Sequence, residues 1–365
     1  MMGGIPNAEI DCLKNYWEAF PNLKKHLFNS NETPYSSIAV SDIKSVILES
    51  DDVKAFIDNF EKAFHGFDEF LEEKLIKNME NINPVKEEEK LGNEIFERLN
   101  NIPLIDKYNA YQILDDNWSD IAIDFEVINT EGKIAIKVVE PNMVMKKDKE
   151  IQEGYKGRIL PFELVQKELL SDELNEIKTK EERINEIVAS YEELIESLTE
   201  EDKESDILNE ASDAFNNKGV TLKLKELKKA DSEEEKKLKE TLNKYTKLNK
   251  EEKELKKEVK DLISNLNKKT KETIENLSDE KANEMVKEKW IKPLVNELME
   301  LPNQIITKLI NEVQALADKY SSTLIDIEEE IKETEGMLCS MIDDLYGNDF
   351  DMKGLAQLKN LLGGE

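Results

Sequence analysis

The chain has 365 residues, of which 36% are charged and 39% hydrophobic, with 13 Gly, 9 Pro and a formal net charge of −30. This composition is typical of a helix-rich protein with a large surface, and it excludes tight binding of nucleic acid by the chain alone, because that affinity comes largely from Lys and Arg. The two cysteines, Cys12 and Cys339, lie far apart and indicate no disulfide framework, and no apolar run approaches the roughly 20 residues that span a membrane. We therefore expect a cytoplasmic, mainly α protein that makes no membrane contact.

Residues 3–100 are predicted to form a helical subdomain. Leu13, Tyr16, Trp17 and Phe20 lie at helical spacings before Pro21. A second helical face carries Phe56 and Phe60.

Residues 101–168 are predicted to hold a helix, a β-hairpin and a junction. The alternation of Ile134, Ile136 and Val138 after the turn sequence NTEG is typical of a strand, and it is the one convincing strand signal that we find in the sequence.

The junction has the sequence EGYKGRILPF, with two glycines, an arginine and a proline in ten residues. Gly154 and Gly157 would let the chain turn sharply, and Arg158 could cap carbonyl groups or reach a partner. Pro161 would end one element before the next begins. We interpret the junction as a hinge between a compact amino-terminal half and helical arms.

Residues 169–277 are predicted to form an antiparallel helical hairpin with coiled-coil-like arms. Apolar residues from Leu174 to Leu198 follow steps that alternate between three and four, broken by the polar Glu181. A second arm begins at Ser232, which forms a capping-box pattern with Glu235.

Residues 278–365 are predicted to form a long helix followed by an amphipathic tail. One apolar line runs from Ile306 to Leu345, and a continuous helix of that length would extend about 60 Å. We predict that part of this line is a seam for a partner chain. The predicted seam residues are Leu309, Val313, Leu316, Tyr320, Leu324, Ile327 and Ile331.

Residues that could perform catalysis are not grouped in the sequence. His26 and His65 have no cysteine at metal-ligand spacing, and the pattern formed by the two junction glycines is too short to predict a phosphate site. The tryptophans Trp17, Trp118 and Trp290 lie in amphipathic helical contexts and are predicted to belong to the core. The sequence therefore predicts no catalytic, cofactor-binding or metal-binding residue.

Five segments together resemble one protein family. They are GGIPNAEIDCLKNYW, IPLIDKYNAYQILDDNW, GYKGRILPFELVQ, KTKETIENLSDEKANEMVKEKWIKPLVNEL and GNDFDMKGLAQLKNLLGGE, in order from Gly3 to Glu365. They look like the carboxy-terminal region of the modification (M) subunit of type I DNA restriction–modification systems. The resemblance implies adenine methylation with S-adenosylmethionine, in a complex of two M subunits with one specificity subunit that a restriction subunit can join. DNA would be bound only within that assembly.

The chain departs from this family in its catalytic motifs. The resemblance implies a glycine-containing cofactor motif and an Asn-Pro-Pro-Phe/Tyr loop, but the Asn83-Pro84 pair continues as Val-Lys-Glu. We therefore expect a region that follows the methyltransferase domain, inactive alone and without its own cofactor, and the GGIP start resembles an internal segment.

Two other functions remain open from the sequence. The chain could be a free-standing helical scaffold or decoy that binds the specificity subunit without any methyltransferase partner domain. It could also be a complete enzyme whose chemistry the sequence does not reveal.

Overall fold

A computed structural model of the chain describes residues 4–30, 34–146, 149–229, 232–321, 324–347 and 349–361. Within these ranges the side chains of 30, 146, 149, 153, 229, 324–328, 349, 360 and 361 are not described. The protein is mainly α, which confirms the fold class expected from composition.

The described residues form many helices and two small β-sheets, one of three strands and one of two. The α-helices are α1 Asn7–Asp11, α2 Lys14–Ala19, α3 Leu23–Leu27, α4 Ile43–Glu49, α5 Asp51–Phe64, α6 Phe67–Leu71, α7 Pro84–Arg98, α8 Lys107–Glu131, α9 Phe162–Leu169, α10 Ser171–Glu196, α11 Glu200–Lys203, α12 Asn217–Glu226, α13 Glu233–Glu275, α14 Asp279–Met299, α15 Leu301–Lys319, α16 Leu324–Asp343 and α17 Asp349–Leu361. The strands are β1 Ile5–Pro6, β2 Phe28–Ser30, β3 Tyr35–Ile38, β4 Val139–Lys146 and β5 Lys149–Gly157. Short π- or 3-10-helical turns lie at Glu72–Ile76, Met79–Asn81, Lys133–Lys137 and Leu227–Lys229.

The chain divides into two compact units. Unit 1 comprises Met1–Leu71, Asn83–Ile121 and Lys292–Glu365, and unit 2 comprises Glu72–Ile82 and Ala122–Ile291. This division differs from the four consecutive segments that the sequence suggests. Helices α8 and α14 each contribute residues to both units, so a boundary between the units lies inside a continuous helix, where composition does not change.

The core of unit 1 is rich in aromatic side chains. Helix α5 buries one face, including Phe56 and Phe60, and the Phe20 and Phe56 rings meet edge to face with centroids 5.6 Å apart. Trp17 is buried, and its indole Nε1 donates a hydrogen bond to the Ile10 carbonyl at 2.6 Å. Each such side chain removed from water contributes about 1.5–3 kcal/mol, so this face organises the unit.

Unit 1 also contains a small antiparallel sheet with the strand order β1–β3–β2. Phe28 pairs with Ile38 and Ile5 pairs with Ser36. The sequence shows no signal for this sheet, because its strands are two to four residues long and too short to show an alternation.

The predicted β-hairpin lies further along the chain than expected. Helix α8 continues through Ile128 to Glu131, and the buried residues Ile121, Phe125 and Ile128 occupy one helical face. Gly132, with φ +79°, follows this helix, and residues 133–137 form a 3-10 turn. The paired strands are β4 and β5, so the burial of a helical face outweighs the apparent alternation around Ile134.

The junction lies within unit 2 and not between the amino-terminal half and the arms, which corrects its predicted position. Gly154 lies in strand β5 at a bulge, where two residues face one residue of β4, and its φ is +78°. The chain turns after Gly157, where an added Cβ would collide with the carbonyl oxygen of Leu160. The glycines therefore serve a bulge and a close backbone approach.

Arg158 and Pro161 complete this turn in different ways. The Arg158 guanidinium donates to the carboxylates of Glu131 and Glu140, the latter at 3.0 Å, where a carbonyl cap or a partner contact was expected. Pro161 precedes the first residue of helix α9 in extended backbone conformation, which suits a residue whose ring restricts φ.

Helices α10 and α13 pack antiparallel and form the arm of unit 2. Ion pairs join Lys180 to Glu258 at 2.8 Å and Arg183 to Glu251 at 2.7 Å. The residue numbers of the partners decrease along α13 as those in α10 increase, which is the pairing of antiparallel helices. Ile177 is buried with Val259 and Leu266 between the two helices. The seam of the arm is thus closed by the chain itself, and α13 begins with the capping box at Ser232.

Alanine substitutions at the two junction glycines should destabilise the protein by different amounts, because the space around each glycine differs. We expect Gly157→Ala to destabilise the protein by more than about 2 kcal/mol, because backbone must move. Gly154→Ala should cost about 1–2 kcal/mol through its left-handed backbone alone, since nothing lies within 4 Å of the added Cβ. Chemical denaturation measures both values.

Gly336 is the control for this series, since it lies inside helix α16 with no atom within 4 Å of an added Cβ. Gly336→Ala should be neutral or stabilising by up to about 1 kcal/mol. Equal losses for Gly157→Ala and Gly154→Ala would show that the approach to Leu160 does not constrain the turn.

Candidate interaction surface

The first part of the predicted seam lies in the core of unit 1. Leu309 and Val313 are each 0% exposed, and helix α15 packs against α4 and α5. Leu316 is half-buried one turn further along. This corrects the prediction for Leu309 and Val313, because the chain's own helices cover them and leave no surface for a partner.

Tyr320 lies directly after α15 and contacts the amino-terminal helix α1. Its hydroxyl donates to the Glu9 carboxylate at 2.6 Å, and Lys319 Nζ donates to the same carboxylate at 2.8 Å. The hydrogen bond from Lys319, followed by that from Tyr320, lowers the pKa of Glu9 below its ordinary value of 4.5. Tyr320 therefore fastens the end of α15 within unit 1.

The predicted continuous helix is interrupted beyond Tyr320. Helix α15 ends at Lys319 and α16 begins at Leu324, while residues 322–323 are outside the described part of the chain. Tyr320 itself has φ −112° and ψ 17°, outside helical geometry. Short polar residues such as Ser321 favour helix ends because their side chains compete for backbone hydrogen bonds.

The remaining predicted seam residues belong to helix α16. Leu324 and Ile327 lie within its backbone span, but their side chains are outside the description. Ile331 is 52% exposed. The apolar line is therefore covered in α15, whereas its continuation in α16 reaches the surface.

Several apolar side chains of α16 and of the residues just after it share this exposure. We call them the C-terminal apolar face: Ile331, Met337, Leu338, Met341, Leu345 and Tyr346. Met337 and Met341 are 64% and 66% exposed and one helical turn apart. Exposed apolar clusters of this kind mark interaction sites more often than isolated apolar side chains do.

The opposite side of α16 is occupied within the chain. Cys339 and Ile342 are buried, and helix α17 packs against α16. Lys359 of α17 donates to the Asp343 carboxylate at 2.8 Å, and this hydrogen bond raises the pKa of Lys359. Cys339 is thus on the side of α16 that packs within the chain, whereas Met337 and Met341 are on the side that remains exposed.

Acidic side chains border the C-terminal apolar face. Residues 324–361 contain ten acidic and three basic side chains, a net charge of −7. Glu330, Glu333 and Asp344 are exposed. Glu330 and Glu333 precede Met337 and Asp344 follows Met341, and neighbouring residues of this series are three or four positions apart. The face is thus an apolar centre with negative ends.

The sequence placed Leu338, Met341 and Leu345 on the long apolar line but assigned the partner seam to the preceding turns. Met337 lies one position off that line, so a strict search for alternating steps of three and four misses it. A count of apolar residues around the whole helix would have included it.

A second set of exposed apolar side chains lies on the β4–β5 hairpin of unit 2, where Met143, Met145 and Ile151 reach the surface. Two-stranded hairpins are marginally stable on their own, and helix α13 packs against both strands. Acidic and basic residues are evenly mixed here, so this surface has no charge pattern like that of the C-terminal apolar face.

The described ranges bring together no side chains that form a metal centre. His26 and His65 are exposed, and no cluster of three His, Cys, Asp or Glu side chains there could hold a metal ion. One open surface cavity is lined by Glu300, which directly precedes α15, and by the α15 residues Asn303, Gln304, Thr307, Lys308, Asn311, Glu312 and Ala315. Among the described helices none is long and apolar enough to cross a membrane.

Comparison with known proteins gives no relative: no family model, curated protein or solved structure matches the chain.

A carboxylate introduced at buried Val313 should lower the free energy of unfolding much more than one introduced at exposed Met341. We expect Val313→Asp to destabilise unit 1 by at least about 3 kcal/mol, because an unpaired carboxylate would enter the core. Met341→Asp should change the free energy of unfolding by less than about 0.5 kcal/mol. Denaturant unfolding followed by circular dichroism measures both, and equal effects would contradict the burial described for α15.

The Glu9 contact should depend on pH. Because the pKa of folded Glu9 is lowered from 4.5, its stabilisation is present above that ordinary value and is lost as pH falls below it. The variant Glu9→Gln should therefore have a lower Tm than the parent chain at neutral pH, and the difference should close as pH falls below 4.5 and through the lowered pKa of folded Glu9.

Tyr320→Phe is the partial control, since it removes one of the two donors to Glu9 and should reduce Tm by a smaller amount at neutral pH. A Tm difference between Glu9→Gln and the parent that persists unchanged in acid would contradict the role assigned to this contact.

Proposed function

We propose that the chain is the carboxy-terminal assembly region of a type I restriction–modification M subunit, and that it docks on the specificity subunit. The proposal combines the resemblance of five sequence segments to that family with the C-terminal apolar face. That face, and not the covered seam of α15, is the surface that we assign to docking. A second M subunit and a restriction subunit would join the same complex.

The observation that carries the docking assignment is the exposure of Met337 and Met341 on a helix whose other side is already covered. Apolar side chains at the centre of an interface supply most of its binding free energy. Acidic neighbours would add selectivity and speed of association more than affinity.

The proposal assigns methylation to a separate catalytic domain. S-adenosylmethionine and the flipped adenine would be bound there, and the residues of this chain would hold that domain near DNA through the assembly. The net charge of −30 supports this division, because a chain this acidic contributes little to phosphate contacts. A cytoplasmic location follows from the same proposal.

Co-purification with the specificity subunit tests the proposal. The full chain should form a complex with that subunit when the two are co-expressed. The double variant Met341→Asp/Leu345→Asp should weaken the complex by more than about tenfold, because two carboxylates would have to be desolvated in the interface. Titration of labelled chain with the purified subunit measures the affinity.

Val188→Asp provides a matched control, since Val188 is an exposed apolar residue of the α10 arm in unit 2. It should leave the affinity unchanged. Absence of a complex with the parent chain, or loss of affinity through Val188→Asp but not through the double variant, would contradict the proposal.

A further inference from the structure

We propose that the C-terminal apolar face binds a basic amphipathic α-helix, a proposal that rests on the proposed function and specifies the chemistry of the partner. Ile331, Met337, Leu338 and Met341 of this face lie on α16, where Met337 and Met341 are one helical turn apart, and Leu345 and Tyr346 follow directly after the helix. A second helix laid along it would place apolar residues at three- and four-residue intervals against the same line.

The methionines indicate an adaptable apolar contact. Met337 and Met341 are unbranched and polarisable, and exposed methionines are favoured on surfaces that receive amphipathic helices. Leu338 and Leu345 add further exposed aliphatic side chains to the same face. The partner therefore needs a continuous apolar stripe about two turns long, with bulky aliphatic or aromatic side chains.

The charges determine the sign of the partner. Glu330 and Glu333 lie toward one end of the methionine pair and Asp344 toward the other, and all three carboxylates are exposed. An apolar stripe flanked by Lys or Arg would place opposite charges against these carboxylates. A partner flanked by Asp or Glu would bring like charges together at both ends, which disfavours binding.

Repulsion between like charges also disfavours a second copy of this chain on the face. Two copies would bring together segments with a net charge of −7 each. The carboxylates at both ends of one face would then meet those of the other in either orientation, and like-charge contacts oppose that association. The partner is therefore expected to be a different, basic segment.

Two synthetic helical peptides test the proposal with the full chain. Both have about 18 residues and the same leucine stripe, and the flanking positions are Lys in one and Glu in the other. Fluorescence anisotropy should show the Lys peptide binding at least about tenfold more tightly than the Glu peptide, with a preference that decreases at high salt.

Variants locate the binding. Met337→Gln/Met341→Gln should weaken binding of the Lys peptide by about tenfold, and Glu330→Gln/Glu333→Gln/Asp344→Asn should reduce the preference for Lys over Glu. The matched control Glu192→Gln/Glu193→Gln/Glu196→Gln removes the same charge from exposed positions on α10. It should leave binding of both peptides nearly unchanged.

Equal affinity for both peptides, or equal effects of the two charge-removing variants, would overturn the proposal. A doubled mass of the parent chain in light scattering, restored to that of one chain by Met341→Asp, would overturn it in favour of a second copy. Docking of the specificity subunit without any preference for the Lys peptide would overturn only the partner chemistry. Binding of the Lys peptide at this face without docking of that subunit would instead overturn only the proposed function.

Discussion

Burial of helix α15 against α4 and α5 determines which apolar residues of the C-terminal region can meet another protein. An apolar stripe that packs against helices of its own chain is not available to a second protein. In α15 this is the case, because α4 and α5 contact the helix and Leu309 and Val313 are fully buried. The helix then ends at Lys319, and the contact of Tyr320 with Glu9 secures that end. The continuation in α16 lacks this cover on its methionine side. The break after α15 therefore separates a structural stripe from an exposed one.

The apolar stripes in the arm of unit 2 are also buried within the chain. Helices α10 and α13 both carry long apolar lines, and each line covers the other. The ion pairs along the arm, such as Arg183 with Glu251, are exposed to solvent, which screens them. Burial of the seam therefore supplies most of the stabilisation, and the charges favour one alignment. Length and narrowness alone thus do not make a helix a docking surface.

Periodicity indicates that a face is buried but not what buries it. The sequence was sufficient for the mainly α class, for the capping box at Ser232 and for the buried tryptophans, because these depend on local spacing or on residue type. It was insufficient for β1–β3, whose strands are too short to alternate, and for the hairpin, where a buried helical face extended α8 to Glu131. The seam was misplaced in α15 for the same reason, since its partners α4 and α5 lie more than two hundred residues away in sequence.

Methionine oxidation measured by mass spectrometry tests the central claim most directly, because a thioether must be accessible to react with peroxide. In the chain alone, Met337 and Met341 should oxidise rapidly, whereas the buried Met79 and Met285 should react slowly. Addition of the specificity subunit should protect Met337 and Met341 and leave the exposed Met145 of the β-hairpin reactive. Unchanged oxidation of Met337 and Met341 within a stable complex would contradict the assignment of α16 as the docking surface.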